Sequence, residues 1–138
     1  LVNLFRDINS IEEKAIASQE YQDLTNNDMH VINAIGIGTT KNMSSIAKEL
    51  SVTVGTLTIS MNSLVKKGYV IRCRSTQDRR VVHISLSEKG VKAYYHHKHF
   101  HEQMIQGVVG VLTEEELQAL IKALTKLNSW FRSFGEDE

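Results

Sequence analysis

The hydrophobic positions follow a helical period over the first part of the chain. In the opening segment, apolar residues recur every three or four positions at Leu1, Leu4, Phe5, Ile8, Ile11 and Ala15. This spacing predicts an amphipathic helix over residues 1 to about 20. Thr25 and Asp28 then predict a capping box at the start of a second helix, which Gly36 ends.

Two short helices with a tight turn between them come next. Asn42 is placed to cap the first, from Ser44 to Leu50, and Thr53 to cap the second, which ends before Gly68. Only two residues separate the first of these helices from Thr53. So short a connection predicts a helix-turn-helix.

After Gly68 the period changes from helical to alternating. Tyr69 to Arg74 and Val81 to Leu86 are alternating or β-branched runs, and the polar residues 75 to 80 separate them. This pattern predicts a two-stranded hairpin directly after the helix-turn-helix, which is the position of a wing.

Two long helices complete the predicted fold. Ser87 caps a fifth helix that runs to about Val111, and Thr113 with Glu116 predicts a capping box for a sixth. The sixth helix carries a stripe at near-heptad spacing formed by Leu117, Leu120, Leu124, Leu127, Phe131 and Phe134. Because this is more apolar surface than one small domain buries, we expect a symmetric dimer through the terminal helices.

The fold class is therefore mostly α with a small β-hairpin wing, a winged helix-turn-helix. We expect a single domain over residues 1–138. In it, about 1–35 and 88–138 form the dimerisation helices, and about 36–87 form the DNA-binding lobe.

Charge is sorted along the chain although the net charge is zero. Residues 41 to 92 hold ten lysines and arginines against three acidic residues, and the remainder holds six against thirteen. A basic middle segment is typical of a module that meets a polyanion. The single cysteine, and the absence of a long apolar run or a leader, predict a cytoplasmic protein with no membrane association.

The second helix of the helix-turn-helix has two different faces. Leu57, Met61 and Leu64, with Val54 and Val65 beside them, form a face that packs. The opposite face is small and polar, which suits a recognition helix in the major groove, and its one large apolar residue, Ile59, is placed to contact a thymine methyl. The predicted DNA contacts here and on the neighbouring helix are Ser44, Ser45, Thr53, Gly55, Thr56, Ile59, Asn62, Ser63 and Lys66.

The hairpin supplies a second set of predicted DNA contacts. Arg79 and Arg80 lie at its tip, where a guanidinium reaches the narrow minor groove of A·T-rich DNA, and Asp78 is placed to orient Arg80. Arg72 and Arg74 alternate onto one strand face and are predicted to contact phosphates. Cys73 lies on the other face, where we expect it to point inward as a small apolar side chain.

The run LSVTVGTLTISMNSLVKKGYVIRCRSTQDRRVVHISLSEKG resembles the recognition helix and wing of the MarR family. The resemblance includes Asp-x-Arg at Asp78 and Arg80 and Leu-Ser-x-x-Gly ending at Gly90. The segments DMH, VTVGTLT and HKHFHEQM are similar to the fatty-acid-synthesis repressors of streptococci and enterococci. Many MarR proteins carry arginine where this chain has Ile59, a departure that fits an A·T-rich operator.

The resemblance implies a function and its partners. A homodimer would repress fatty-acid-synthesis genes at a pseudo-palindromic A·T-rich operator in double-stranded DNA. A long-chain acyl group on acyl carrier protein would be the co-repressor, with no cofactor required. The predicted effector pocket comprises Phe5, Ile8, Met29, His30, Ile32, His97, Phe100, His101 and Met104.

A histidine-rich stretch leaves a second interpretation open. His97 and His101 are four residues apart, which is zinc-ligand spacing on a helix, and His30 is a third candidate ligand. A zinc-responsive regulator is therefore the alternative, whereas hydrogen-bonded core histidines would need no metal. The sequence shows no nucleophile with a base, no paired catalytic carboxylates and no phosphate loop, so we expect no enzyme. A protein-interaction module that binds no DNA is a further alternative.

Overall fold

The computed structural model describes residues 1–17 and 20–135. Within these residues the chain forms six helices and one two-stranded sheet: α1 Val2–Ile16, α2 Asn26–Ile35, α3 Met43–Leu50, α4 Val54–Lys66, β1 Val70–Arg74, β2 Val82–Leu86, α5 Glu88–Val111 and α6 Glu114–Gly135. The element order is the predicted one. Residues 18 and 19, which we predicted to belong to the first helix, lie outside the described residues.

Side-chain caps fix the helix starts where the sequence predicted them. Thr25 Oγ1 accepts from the N–H of Asp28 at 3.1 Å, and Asp28 Oδ2 accepts from the N–H of Thr25 at 3.0 Å. Asn42 Oδ1 accepts from the N–H of Ser45 at 2.8 Å, and Thr53 Oγ1 accepts from an N–H in the first turn of α4 at 3.1 Å. These bonds satisfy backbone donors that a helix cannot satisfy internally.

The wing is an antiparallel hairpin that a third segment extends. Val70 lies opposite Leu86 and Arg74 opposite Val82. Lys41, just before α3, pairs with Ile84 through two backbone bonds of 2.9 and 2.8 Å. The loop before the helix-turn-helix is thereby tied to the wing.

The contacts divide the chain into two compact units, Leu1–Phe100 and His101–Glu138. The first contains the helix-turn-helix, the wing and a hydrophobic core in which Ile32, Leu57, Met61, Tyr69 and Ile84 are fully buried. Burial of these side chains supplies the main stabilising term. That the whole chain is one domain remains a prediction.

The second unit consists of the end of α5 and the whole of α6. Thr113 and Glu116 form the predicted capping box, with bonds of 3.1 and 3.2 Å. Because Glu116 accepts from the backbone N–H of Thr113, its carboxylate is favoured and its pKa is lowered. Among the described residues, no helix combines the length and apolar character that a membrane crossing requires.

Candidate nucleic-acid interface

Helix α4 presents one buried and one exposed face, as predicted for a recognition helix. Leu57, Met61 and Leu64 are in the core, whereas Ile59 is 75% exposed on the opposite side. Val54, which we predicted to pack, is exposed. Val54 is the first residue of α4, and helical periodicity gives the direction of a side chain without showing whether another element covers it.

Hydrogen bonds and ion pairs hold the end of α4 in place. Lys67 Nζ donates to Asp28 Oδ2 at 3.0 Å, which joins the end of α4 to the start of α2. The hydroxyl of buried Tyr69 donates to Asp23 Oδ1 at 2.7 Å. Burial, and then this hydrogen bond, raise the pKa of Tyr69 well above its ordinary value. Tyr69 is therefore a neutral hydrogen-bond donor at neutral pH.

The wing tip has the predicted internal pairing. Asp78 Oδ1 accepts from both the backbone N–H and Nε of Arg80, at 3.0 and 3.2 Å. Ser75 Oγ accepts from the N–H of Asp78 at 3.3 Å, which fixes the carboxylate within the turn. The Arg80 side chain is 92% exposed. Asp78 thus orients an arginine that contributes little to folding, since exposed ion pairs stabilise by only about 0–1 kcal/mol.

The side chains of β1 point as predicted except at one residue, Cys73. Arg72 and Arg74 lie opposite Ile84 and Val82, so they share the strand face that continues the core. Cys73 lies on the other face and is exposed. The prediction that Cys73 points inward is therefore wrong, because the buried face of the wing ends in arginines rather than in apolar residues.

An open groove connects the recognition helix to the wing. Its volume is about 460 Å³, and its lining residues are Met43, Thr58, Arg72, Arg74 and Val82. Arg72 Nη1 donates to Asn62 Oδ1 at 2.7 Å across the boundary between β1 and α4. The sequence interpretation missed Thr58 and Met43, although Thr58 lies one helical turn before Asn62 on the polar side of α4.

The fourteen predicted DNA contacts all lie in the first unit, exposed or half-buried. Ser44 and Arg80 line a second groove of about 290 Å³, which links the start of α3 to the wing tip. Serine, threonine and asparagine side chains beside exposed arginines form a surface with both base-reading and phosphate-binding groups. Which of them touches DNA stays a prediction.

The predicted effector residues lie in different environments. Phe5 and Ile8 are exposed on α1, Phe100 is half-buried at the end of the first unit, and His101 and Met104 are half-buried in the second. Met29 and Ile32 are buried in the core. A ligand in contact with these two side chains would have to open the core, so the exposed and half-buried residues are the better candidates.

The histidines also divide between environments. His97 is buried, and one of its ring nitrogens and a carboxylate oxygen of Glu12 lie within 4.8 Å of each other. His30 is exposed on α2 and lines a small cavity with Asn27 and Ser60. The structure therefore places Glu12, rather than His30, beside His97.

The protein is a MarR-like, winged-helix transcriptional regulator that binds DNA. The features that define this class are the capped helix-turn-helix, the exposed polar face of α4 and the arginines at the tip of the wing. The chain belongs to the transcriptional regulator SarA/Rot family, whose model matches residues 14–96. This membership confirms that the protein is a regulator and not an enzyme. It also sets aside the alternative of an interaction module that binds no DNA.

Similar proteins agree with this assignment. Streptococcus pneumoniae FabT, in a crystal structure with DNA, is 38% identical with a TM-score of 0.91, and the match covers 96% of this chain and 93% of FabT. Staphylococcus aureus MepR, also in a DNA complex, is 29% identical with a TM-score of 0.75, covering 94% and 96%. The HTH-type regulator YwhA of Bacillus subtilis is 33% identical to this chain over the aligned residues. The alignment covers 62% of this chain and 61% of the length of YwhA.

We expect Arg80→Ala to weaken operator binding about tenfold or more while leaving the unfolding transition unchanged. A minor-groove arginine is desolvated and oriented in the complex, whereas the exposed tip contributes little to folding. Gel shifts with the operator and thermal unfolding measure the two effects. Arg132→Ala, which removes an exposed arginine from α6, is the matched control and should change neither. Equal binding by Arg80→Ala and the parent would contradict the role of the wing.

Proposed function

We propose that this protein represses fatty-acid-synthesis genes, with a long-chain acyl group on acyl carrier protein as co-repressor. The observation that carries the proposal is the likeness to FabT over nearly the whole chain, at 38% identity. The sequence segments that resemble the fatty-acid-synthesis repressors support it. They include DMH in α2 and HKHFHEQM in α5, which lie outside the DNA-binding lobe.

The repressor would act as a homodimer on a pseudo-palindromic, A·T-rich operator. Helix α1 carries the exposed apolar residues Leu4, Phe5 and Ile11, and α6 carries Leu124 and Phe131. Exposed apolar surface of this kind marks an interaction site, and a second copy supplies the same surface by symmetry. A symmetric dimer presents two recognition helices to two half-sites.

The acyl chain would act by favouring the dimer geometry that fits DNA. Burial of a saturated chain contributes about 0.8 kcal/mol per methylene, so a long chain has far more energy available than a short one. A ligand shifts an equilibrium only through its different affinities for the two states. By linkage, operator DNA must then tighten acyl binding by the same factor.

The acidic carrier protein would dock on exposed cations of α5. Lys92 and Lys98 are exposed there, in the first unit. Attraction between these lysines and an acidic partner is screened by salt, so affinity for the acyl carrier protein should fall as ionic strength rises.

The test is a titration of operator binding with carrier proteins that bear octanoyl or octadecanoyl chains. We expect the octadecanoyl form to tighten operator binding about tenfold, since coupling between two sites is typically worth 1–3 kcal/mol. The octanoyl and unacylated forms should have little effect. Equal effects of all three forms would contradict the co-repressor proposal while leaving DNA binding intact.

A zinc-responsive regulator is the second candidate, and one observation favours it. Glu12 and His97 are 9% and 6% exposed, with potential ligand atoms within 4.8 Å, and His101 follows His97 by one turn of α5. Carboxylate and imidazole are both zinc ligands. The same titration is therefore run with zinc and with a chelator. Dependence on zinc that is lost in His97→Ala, together with indifference to chain length, would favour this candidate.

A further inference from the structure

One side-chain pair joins the exposed face of the recognition helix to the wing. Arg72 Nη1 donates to the side-chain amide oxygen Oδ1 of Asn62 at 2.7 Å, a short distance for a guanidinium bond to a neutral amide. Both side chains are exposed, and Arg72 also lines the open groove between α4 and β1. The pair thus lies on the surface that faces DNA in a winged-helix regulator.

The hairpin holds Arg72 in position for this bond. Arg72 lies opposite Ile84, which is fully buried, so its side chain leaves the strand on the face that continues the core towards α4. Asn62 follows buried Met61 by one residue and is carried on a helix fixed to the core. Because α4 and β1 contact each other and both contribute to the core, the bond joins side chains whose backbones are held at a fixed distance.

The bond changes what Asn62 offers to a base. An asparagine recognises adenine by accepting from N6–H through its oxygen while donating to N7 through its amide nitrogen. Here the oxygen already accepts from a cation, and the guanidinium beside it repels the partly positive amino group of adenine. The donors that remain are the Asn62 amide N–H groups and the other N–H groups of Arg72.

We propose that Arg72 sets the base preference of Asn62, so that the pair donates to the N7 and O6 acceptors of guanine and discriminates against adenine. Guanine presents two acceptors on its major-groove edge, whereas adenine presents one acceptor and one donor. Arg72 is in this respect a specificity-determining residue and not only a phosphate contact. The proposal rests on DNA binding through α4.

The experiment begins with an operator selected by the parent protein from a random duplex library. Binding constants are then measured for the four base pairs at each operator position. The position read by the pair is the one at which Asn62→Ala flattens the preference. Arg74→Ala is the matched control, because Arg74 lies two residues further along the same strand face and lines the same groove.

At that position we expect the parent to prefer guanine to adenine. Arg72→Ala should shift the ratio of the two binding constants about tenfold towards adenine, because the freed side-chain oxygen of Asn62 then accepts from N6–H. Arg74→Ala should weaken binding to all four operators by a common factor and leave the ratio unchanged. If Arg72→Ala also weakens all four by a common factor, the proposal is wrong and Arg72 is a phosphate contact. The assay contains no acyl carrier protein and no zinc, so failure of the co-repressor proposal does not affect its outcome.

Discussion

We expect Gly90→Ala to lower the free energy of unfolding by about 3 kcal/mol or more, because overpacking against backbone cannot be relieved by a side-chain rotation. A Cβ at Gly90 would clash with the backbone carbonyl oxygen of Tyr69 and would lie 3.2 Å from Cβ of Leu86. The first turn of α5 would have to move away from Tyr69 and from Leu86 at the end of β2.

The hydrogen bonds around Gly90 explain why a movement of α5 would destabilise the fold. The Tyr69 carbonyl accepts from the N–H of Ser87 at 2.9 Å, and Ser87 Oγ accepts from the N–H of Gly90 at 3.1 Å. Tyr69 is fully buried and donates to Asp23. A shift of α5 would therefore strain the start of the wing and the contacts that fix the end of the recognition helix.

Gly107→Ala in the same helix is the matched control. A Cβ there has no described heavy atom within 4 Å and the helix tolerates it, so this variant should gain about 0.5–1 kcal/mol through reduced chain entropy in the unfolded state. Urea unfolding followed by circular dichroism measures both variants. Similar stabilities for Gly90→Ala and Gly107→Ala would contradict the close packing of Gly90 against the Tyr69 backbone.

Local features, in which the interacting residues are only a few positions apart, were predicted correctly from the sequence. The caps at Thr25, Asn42, Thr53 and Thr113 lie where the sequence indicated, because a cap requires only its own side chain and the next turn. The pairing of Asp78 with Arg80 was predicted for the same reason, since the partners are only two positions apart.

Features that depend on distant residues were not predictable in this way. Whether Cys73 or Arg72 faces the core depends on how far the core extends beneath the wing, which the alternation along one strand does not reveal. The bond from Arg72 to Asn62 joins two elements, and that from Lys67 to Asp28 joins residues 39 apart. Such partners are chosen by the tertiary fold, which local periodicity does not specify.

The apolar stripe of α6 leads to the last prediction, which concerns assembly. Leu124 is 54% exposed at the centre of a stripe that includes Ile121, Leu127 and Phe131. If a second copy covers this stripe, an aspartate at position 124 places an unpaired charge in an apolar interface. We expect the parent to sediment as a dimer at micromolar concentration and Leu124→Asp to be monomeric or insoluble.

Loss of the dimer should weaken operator binding more than loss of any one contact. In a dimer, binding of the first half-site raises the local concentration of the second recognition helix to about the millimolar range, so a monomer should bind at least about 100-fold more weakly. Ala119→Asp is the matched control, because it introduces the same charge at an exposed position about 140° around α6 from Leu124. It should remain dimeric and bind DNA like the parent. Circular dichroism establishes that soluble Leu124→Asp is still helical. A helical Leu124→Asp that sediments as a dimer, or a parent that is a folded monomer at micromolar concentration, would show that this stripe is not the dimer interface.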